Sequence, residues 1–150
     1  MQLTVFTDYT LRTLIYLGTR PGEIVPASAI SAAYGISPDH IAKAGKWLTQ
    51  NDYVNATRGK GGGLVLARAP KAIRIGAVVR GTEPHFDLLE CFDAKTNTCP
   101  LNPACALKTA LVRARDAFLT VLDGYTLADI LGNRTELVRL LGRPSQGARA

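Results

Sequence analysis

ASAISAAYGISPDHIAKAGKWLTQNDYVNATRGKGGGLVL, residues 27–66, decides the fold. Ala27 to Tyr34 is a short run of helix formers closed by Gly35, which offers the left-handed conformation that ends helices. Ser37 and Pro38 follow as N-cap and first helical residue of a second helix. There Ile41, Ala44, Gly45 and Leu48 recur at i, i+3, i+4 and i+7 and mark the buried face, with Gly45 allowing close packing. Asp39, His40, Lys43, Lys46, Trp47 and Gln50 are left outside. This is the spacing of a helix-turn-helix, and Ser37, Pro38, Asp39, His40, Lys43 and Lys46 are placed to meet DNA. Trp47 fits a rim or backbone contact better than a base reader.

Past the second helix, Tyr53–Thr57 and Leu64–Ala67 read as two strands joined by Arg58-Gly59-Lys60-Gly61-Gly62-Gly63. The four glycines permit the positive φ angles of a tight turn. Arg58 and Lys60 at the tip can enter a minor groove or neutralise phosphates, which makes the hairpin the wing of a winged helix. A phosphate-binding loop is excluded: G-x(4)-G-K followed by Ser or Thr is absent, as is a helix directly after the glycines.

Upstream, Thr7 is expected to cap a helix through about Thr19, with Leu11, Leu14, Ile15 and Gly18 on one face. Downstream, Ile73 to Val79 reads as a short helix packed under the wing. From Pro103 a long helix is expected to about Asp123. Leu107, Leu111, Ala114, Phe118, Val121 and Tyr125 on it take alternate steps of four and three, the heptad seam of a helix that wants a partner. Burial within its own monomer is the alternative, but so small a chain has few helices of similar length to receive the seam. Homodimerisation is therefore expected, and two winged helices about a two-fold axis would read a palindrome with half-sites ~34 Å apart or a multiple of it.

Residues 1–80 hold ten Lys and Arg against four Asp and Glu, and residues 81–150 eight against eight, so the whole net charge of +6 lies in the first half. A basic block on a folded module suggests a polyanion, most often nucleic acid. Thr7, Asp8, Thr10 and Arg12 interrupt the apolar N-terminal stretch, which argues against a signal peptide or a membrane span. A cytoplasmic protein with reduced thiols is expected.

All three cysteines fall within one short segment as C-x(7)-C-x(5)-C: Cys91, Cys99 and Cys105. Thiolates are preferred ligands of iron-sulfur clusters and of zinc, so the clustering asks for a metal centre with a fourth ligand from elsewhere. An odd count argues against a disulfide. A Cys3His zinc site using His85 is an alternative, as is an electron-transfer protein. The latter would usually supply four thiolates from compact repeats and leaves the winged helix without a role.

The stretches FTDYTLRTLIYL, RGKGGGLVL, AIRIGAVVRGTEP, the cysteine loop, PACALKTAL and DGYTLADIL resemble, over residues 1–131, the bacterial IscR, NsrR and RirA family of iron-sulfur winged-helix regulators. The resemblance implies that Cys91, Cys99 and Cys105 hold a 4Fe-4S cluster, with 2Fe-2S as the alternative. It implies that Asp8 of the partner subunit is the fourth ligand, with Arg12 as its supporting partner. From the residues alone, Asp8 is equally a first-turn acid on a helix dipole, paired with Arg12. IscR-like members carry a histidine three positions after the last cysteine, where this chain has Lys108. The resemblance is strongest to the nitric oxide-sensing repressors, with an iron-status sensor of the RirA or IscR type as the alternative. No catalytic residue is called for.

The expected organisation is mainly α with a small β-hairpin wing. A winged helix-turn-helix spans 1–80, a cluster-binding loop 81–105, a dimerisation helix region 103–131, and a tail 132–150. In the tail, residues 136–141 are expected to be helical and Pro144 to Ala150 disordered.

Overall fold

α1 (Val5–Gly18) begins three residues earlier than expected. The Thr4 hydroxyl accepts from the Thr7 N–H at 3.2 Å, so Thr4 is the N-cap and Thr7 lies inside the first turn, fully buried. The buried stripe is Thr7, Thr10, Leu14 and Leu17, while Leu11 and Ile15 are only half-buried. Hydropathy misjudged this face because the threonines satisfy themselves: Thr10 and Thr13 donate to the carbonyls of Phe6 and Tyr9. These coordinates are a computed structural model and describe residues 2–142.

The helix-turn-helix follows the sequence closely. α2 (Ala27–Tyr34) ends at Gly35 with φ 65°, and α3 (Pro38–Gln50) opens on Ser37, whose hydroxyl accepts from the His40 N–H. Ile41, Ala44, Gly45 and Leu48 are all buried. Gly45 lets Leu64 lie against α3: a Cβ there would stand 2.9 Å from a methyl of Leu64.

β1 (Val54–Thr57) and β2 (Gly63–Leu66) pair antiparallel, Val54 opposite Leu66 and Thr57 opposite Gly63. The glycines of the turn serve two purposes. Gly59 and Gly61 have φ of 90° and 78°, whereas a Cβ on Gly63 would lie 2.3 Å from the Val25 carbonyl oxygen. That approach lets Val25 and Leu64 exchange two backbone hydrogen bonds of 2.8 Å, so a lone residue before α2 extends the hairpin.

After a 3-10 turn at Pro70–Ala72 comes α4 (Ile75–Thr82), which starts two residues later than expected. It packs on α1 and on α5 (Ala106–Asp123), not under the wing. Ile73 and Arg74 are taken instead by a strand-like exchange: Leu127 N–H donates to Ile73 at 2.8 Å and Ile75 N–H to Tyr125 at 2.9 Å. Arg80 and Asp123 pin α4 to the end of α5 by a two-armed ion pair.

α5 starts at Ala106 rather than Pro103, because Asn102–Ala104 forms a separate 3-10 turn. α6 (Leu127–Ile130) is opened by a capping box of Thr126 and Asp129. α7 (Arg134–Leu141) contains the helix expected at 136–141. Its Arg134 donates twice to the Thr19 carbonyl, at 2.8 and 3.1 Å, and so caps the end of α1. The expectation for Pro144 to Ala150 lies outside the described residues.

Candidate DNA interface and metal centre

The exposed side of α3 carries Ser37, Pro38, Asp39, His40, Lys43 and Lys46. Arg58 and Lys60 stand exposed at the hairpin tip. Between α3 and the hairpin runs a groove of about 460 Å³ whose walls include Lys46, Gln50, Thr57 and Arg58. Helix and wing thus present their cations to one surface, as phosphate binding requires. His40 leans on the Tyr9 ring at 5.3 Å and the Lys43 ammonium lies 5.6 Å from the Phe6 ring, so α1 braces the exposed side of α3. Trp47 turns inward instead of standing at the outer rim of α3. It is half-buried, stacked on Tyr53 at 5.8 Å and edge-on to Phe6 at 6.4 Å.

The loop from α4 to α5 carries the three thiols. Cys91 is buried in a 3-10 turn at Glu90–Phe92, while Cys99 and Cys105 are half-buried, and all three are free. The loop is organised by its own polar groups: the Glu90 carboxylate accepts from the Thr98 N–H and hydroxyl. Those bonds hold the Glu90 carboxyl below its usual range. The Arg115 guanidinium of α5 sits 5.3 Å from the Phe92 ring and ties the first cysteine turn to the helix.

Cys105 is the N-cap of α5, its sulfur accepting the Lys108 N–H at 3.4 Å. The third thiol thus stands at the N-terminus of the helix that closes the loop. Among the described residues no three His, Cys, Asp or Glu side chains are gathered around one point that could hold a metal ion. The convergence expected from the sequence is therefore not reached. Thiols do not attract one another; the free energy that gathers such ligands comes from the metal they bind.

Asp8 lies half-exposed on the first turn of α1. Arg12 grips both its oxygens, Nε to Oδ1 and Nη2 to Oδ2, each at 2.8 Å. His85 is exposed on the polar side of the loop beside Asp87. Lys108, where a histidine ligand would stand, instead reaches the Asn102 side chain.

Residues 3–133 match the Rrf2 family, described as iron-dependent transcriptional regulators. The chain belongs to the Rrf2 family. Within it the chain is of the NsrR type. It is 46% identical over 142 residues to the HTH-type transcriptional regulator NsrR of Bacillus subtilis, covering 94% of this chain and 97% of that protein. It is 47% identical over 142 residues to the same-named regulator of Geobacillus kaustophilus, with the same shares covered. Among solved structures, CymR, the global cysteine regulator of B. subtilis, superposes with a TM-score of 0.70 at 26% identity, covering 89% of this chain and 98% of that one. The IscR of T. potens gives 0.71 at 23% identity, covering 100% and 94%, and supports the fold. As an Rrf2 protein the chain is a transcriptional regulator and not an enzyme. No helix among the described residues is long and apolar enough to cross a membrane.

The donor set of this Rrf2 chain fits an iron-sulfur cluster. It offers three free thiols on one short loop, one of them at a helix N-terminus, and a carboxylate already oriented by an arginine. Sequence reasoning missed one polar cluster at the root of the loop. The Glu83 carboxylate accepts from the Thr4 N–H at 2.7 Å and hydroxyl at 3.0 Å, and the Thr7 and Thr82 hydroxyls bond at 2.8 Å. No periodicity announces it, because threonines on a core face look like errors until their partners are seen.

Proposed function

We propose that this protein is an iron-sulfur transcriptional repressor that binds palindromic promoter DNA as a homodimer and releases it when nitric oxide reacts with the cluster. The observation that carries the reading is the placement of the cysteine loop. It leaves α4 at residues already hydrogen-bonded to the first turn of α1, and it ends on the cap of α5.

Cys91, Cys99 and Cys105 would hold the cluster, 4Fe-4S or else 2Fe-2S, and Asp8 of the partner subunit would complete the ligand set. When bound, the cluster supplies iron that reacts with nitric oxide. Arg12 orients the Asp8 carboxylate and can keep one of its oxygens while the other is given away. Leu107, Val121 and Tyr125 are 61%, 59% and 49% exposed, which leaves the α5 seam open to a second copy. In such a dimer Asp8 would tie the DNA-binding core of one subunit to the loop of the other. Ser37, Pro38, Asp39, His40, Lys43 and Lys46 would enter the major groove, and Arg58 and Lys60 would flank it. A differential affinity of a few kcal/mol between the two states suffices to empty a promoter.

The test is the DNA affinity of anaerobically prepared, cluster-loaded protein on its own promoter during titration with nitric oxide. Loss of tight binding at a few nitric oxide molecules per cluster is expected. A second reading, an iron-status regulator, draws on the family's description as iron-dependent. Indifference to nitric oxide combined with loss of binding on iron removal would establish that reading instead.

A further inference from the structure

We infer that Trp47 is the positioning residue through which the end of α4, and with it the cysteine loop, sets the seat of the recognition helix α3. The inference rests on the reading above, in which the loop controls DNA binding.

The contact that carries it is the one between Trp47 and Gly81. A Cβ on Gly81 would lie 2.6 Å from Cζ2 and 3.0 Å from Cη2 of the indole, so the ring lies against α4 and a methyl group there obliges it to move. The same ring stacks on Tyr53 at 5.8 Å and 16°, next to the start of β1, and meets Phe6 of α1 edge-on. One side chain therefore touches the recognition helix, the foot of the wing, the first turn of α1 and the last turn of α4.

Both inputs of the sensor end at this ring. Thr82 and Glu83, the residues after Gly81, hold Thr7 and Thr4, and the chain then enters the loop that leads to Cys91. Asp8 stands two residues after Phe6 on α1. A shift of the loop root or of the Asp8 turn is delivered to the indole, and the indole is rooted in α3 beside Lys46 and one turn after Lys43. The indole already lies against Gly81 and Phe6, so a movement of either toward it displaces the ring. Trp47 is half-buried and packs on the edge of the core, where α1, α3 and α4 meet.

Trp47→Phe keeps a ring for Tyr53 and Phe6 and deletes the atoms that touch Gly81; Gly81→Ala drives a methyl group into them. The primary readout is the ratio of operator affinities of cluster-loaded and cluster-free full-length protein, with cluster content and far-UV circular dichroism recorded for each variant. Trp47→Phe is expected to bind the cluster as the wild type does and to shrink that ratio about fivefold or more. Gly81→Ala is expected to change the ratio in the wild-type background and to be silent on Trp47→Phe.

A second readout needs no cluster. Trp47 is the single tryptophan, so in cluster-free protein Gly81→Ala should shift its emission to the red and raise its quenching by acrylamide. An unchanged affinity ratio in Trp47→Phe overturns the inference, as does a Gly81→Ala effect of equal size in both backgrounds. Should Gly81→Ala not fold, Trp47→Phe alone decides. A wild-type ratio of one would bring down the functional reading and the relay with it, whereas a large wild-type ratio that the variants preserve sinks only the relay.

Discussion

Gly63→Ala is expected to destabilise the protein far more than Gly61→Ala, although both glycines belong to one turn. At Gly63 the new Cβ would stand 2.3 Å from the Val25 carbonyl oxygen and 2.5 Å from its carbon, and the backbones must part until the contact exceeds 3.0 Å. A separation of that size stretches both 2.8 Å bonds between Val25 and Leu64 to the edge of hydrogen bonding. Each is worth about 1 kcal/mol net, and more when the freed groups stay buried, as Val25 and Leu64 are. The expected loss is about 2–4 kcal/mol, or a melting temperature lower by roughly 5–15 °C for a chain of this size. Gly61 has φ 78° and nothing within 4 Å of a built Cβ. Alanine there meets only the left-handed penalty, about 1 kcal/mol. Thermal melts followed by circular dichroism on the two variants compare the effects directly. Equal shifts, or a larger one for Gly61→Ala, would refute the claim that the hairpin is fixed by its bridge to Val25.

Arg58→Ala should weaken binding to all DNA sequences and lower the magnitude of the slope of log affinity against log salt by about one unit; an unaltered slope removes Arg58 from the contact set. Asp8→Ala is expected to leave a cluster that assembles but controls DNA binding poorly, and unchanged cluster spectra with unchanged nitric oxide sensitivity would refute Asp8 as a ligand. Val121→Glu places a charge on the open seam of α5 and should shift the sedimentation of the protein from dimer toward monomer. The hydrogen bond from Arg80 holds the Asp123 carboxyl below its ordinary value. Its contribution is thus present at neutral pH and lost as pH falls below the usual aspartate range. Asp123→Asn should flatten the acid limb of the stability curve and leave the region above neutrality parallel to wild type.

The helix-turn-helix was legible because its signals are local: a glycine at the end of α2, Ser37 and Pro38 at the start of α3, and an apolar period between. The hairpin was legible from its glycines, though not the reason for Gly63, which depends on a backbone 38 residues upstream. α1 was read three residues late because Thr4 and Thr7 are equal candidates for a cap, and the bonds that Thr4 donates to Glu83 and accepts from the Thr7 N–H decide between them. The cysteines and Asp8 could be named from the sequence, and the pairing of Asp8 with Arg12 is as the i, i+4 spacing suggests. The inward turn of Trp47 was hidden, since a position on the outer arc of an amphipathic helix says nothing of a neighbour arriving from α4.

Cys105 has a second job that complicates any experiment on the first. Its sulfur caps α5, so Cys105→Ala removes a candidate ligand and, in the same stroke, leaves the Lys108 N–H without its acceptor at the start of the helix that carries the open seam. Serine retains an acceptor at that place and is a good cap. The pair of substitutions thus separates two kinds of lesion: whatever Cys105→Ser shares with Cys105→Ala belongs to lost metal chemistry, and whatever only the alanine variant shows belongs to an unravelled helix end.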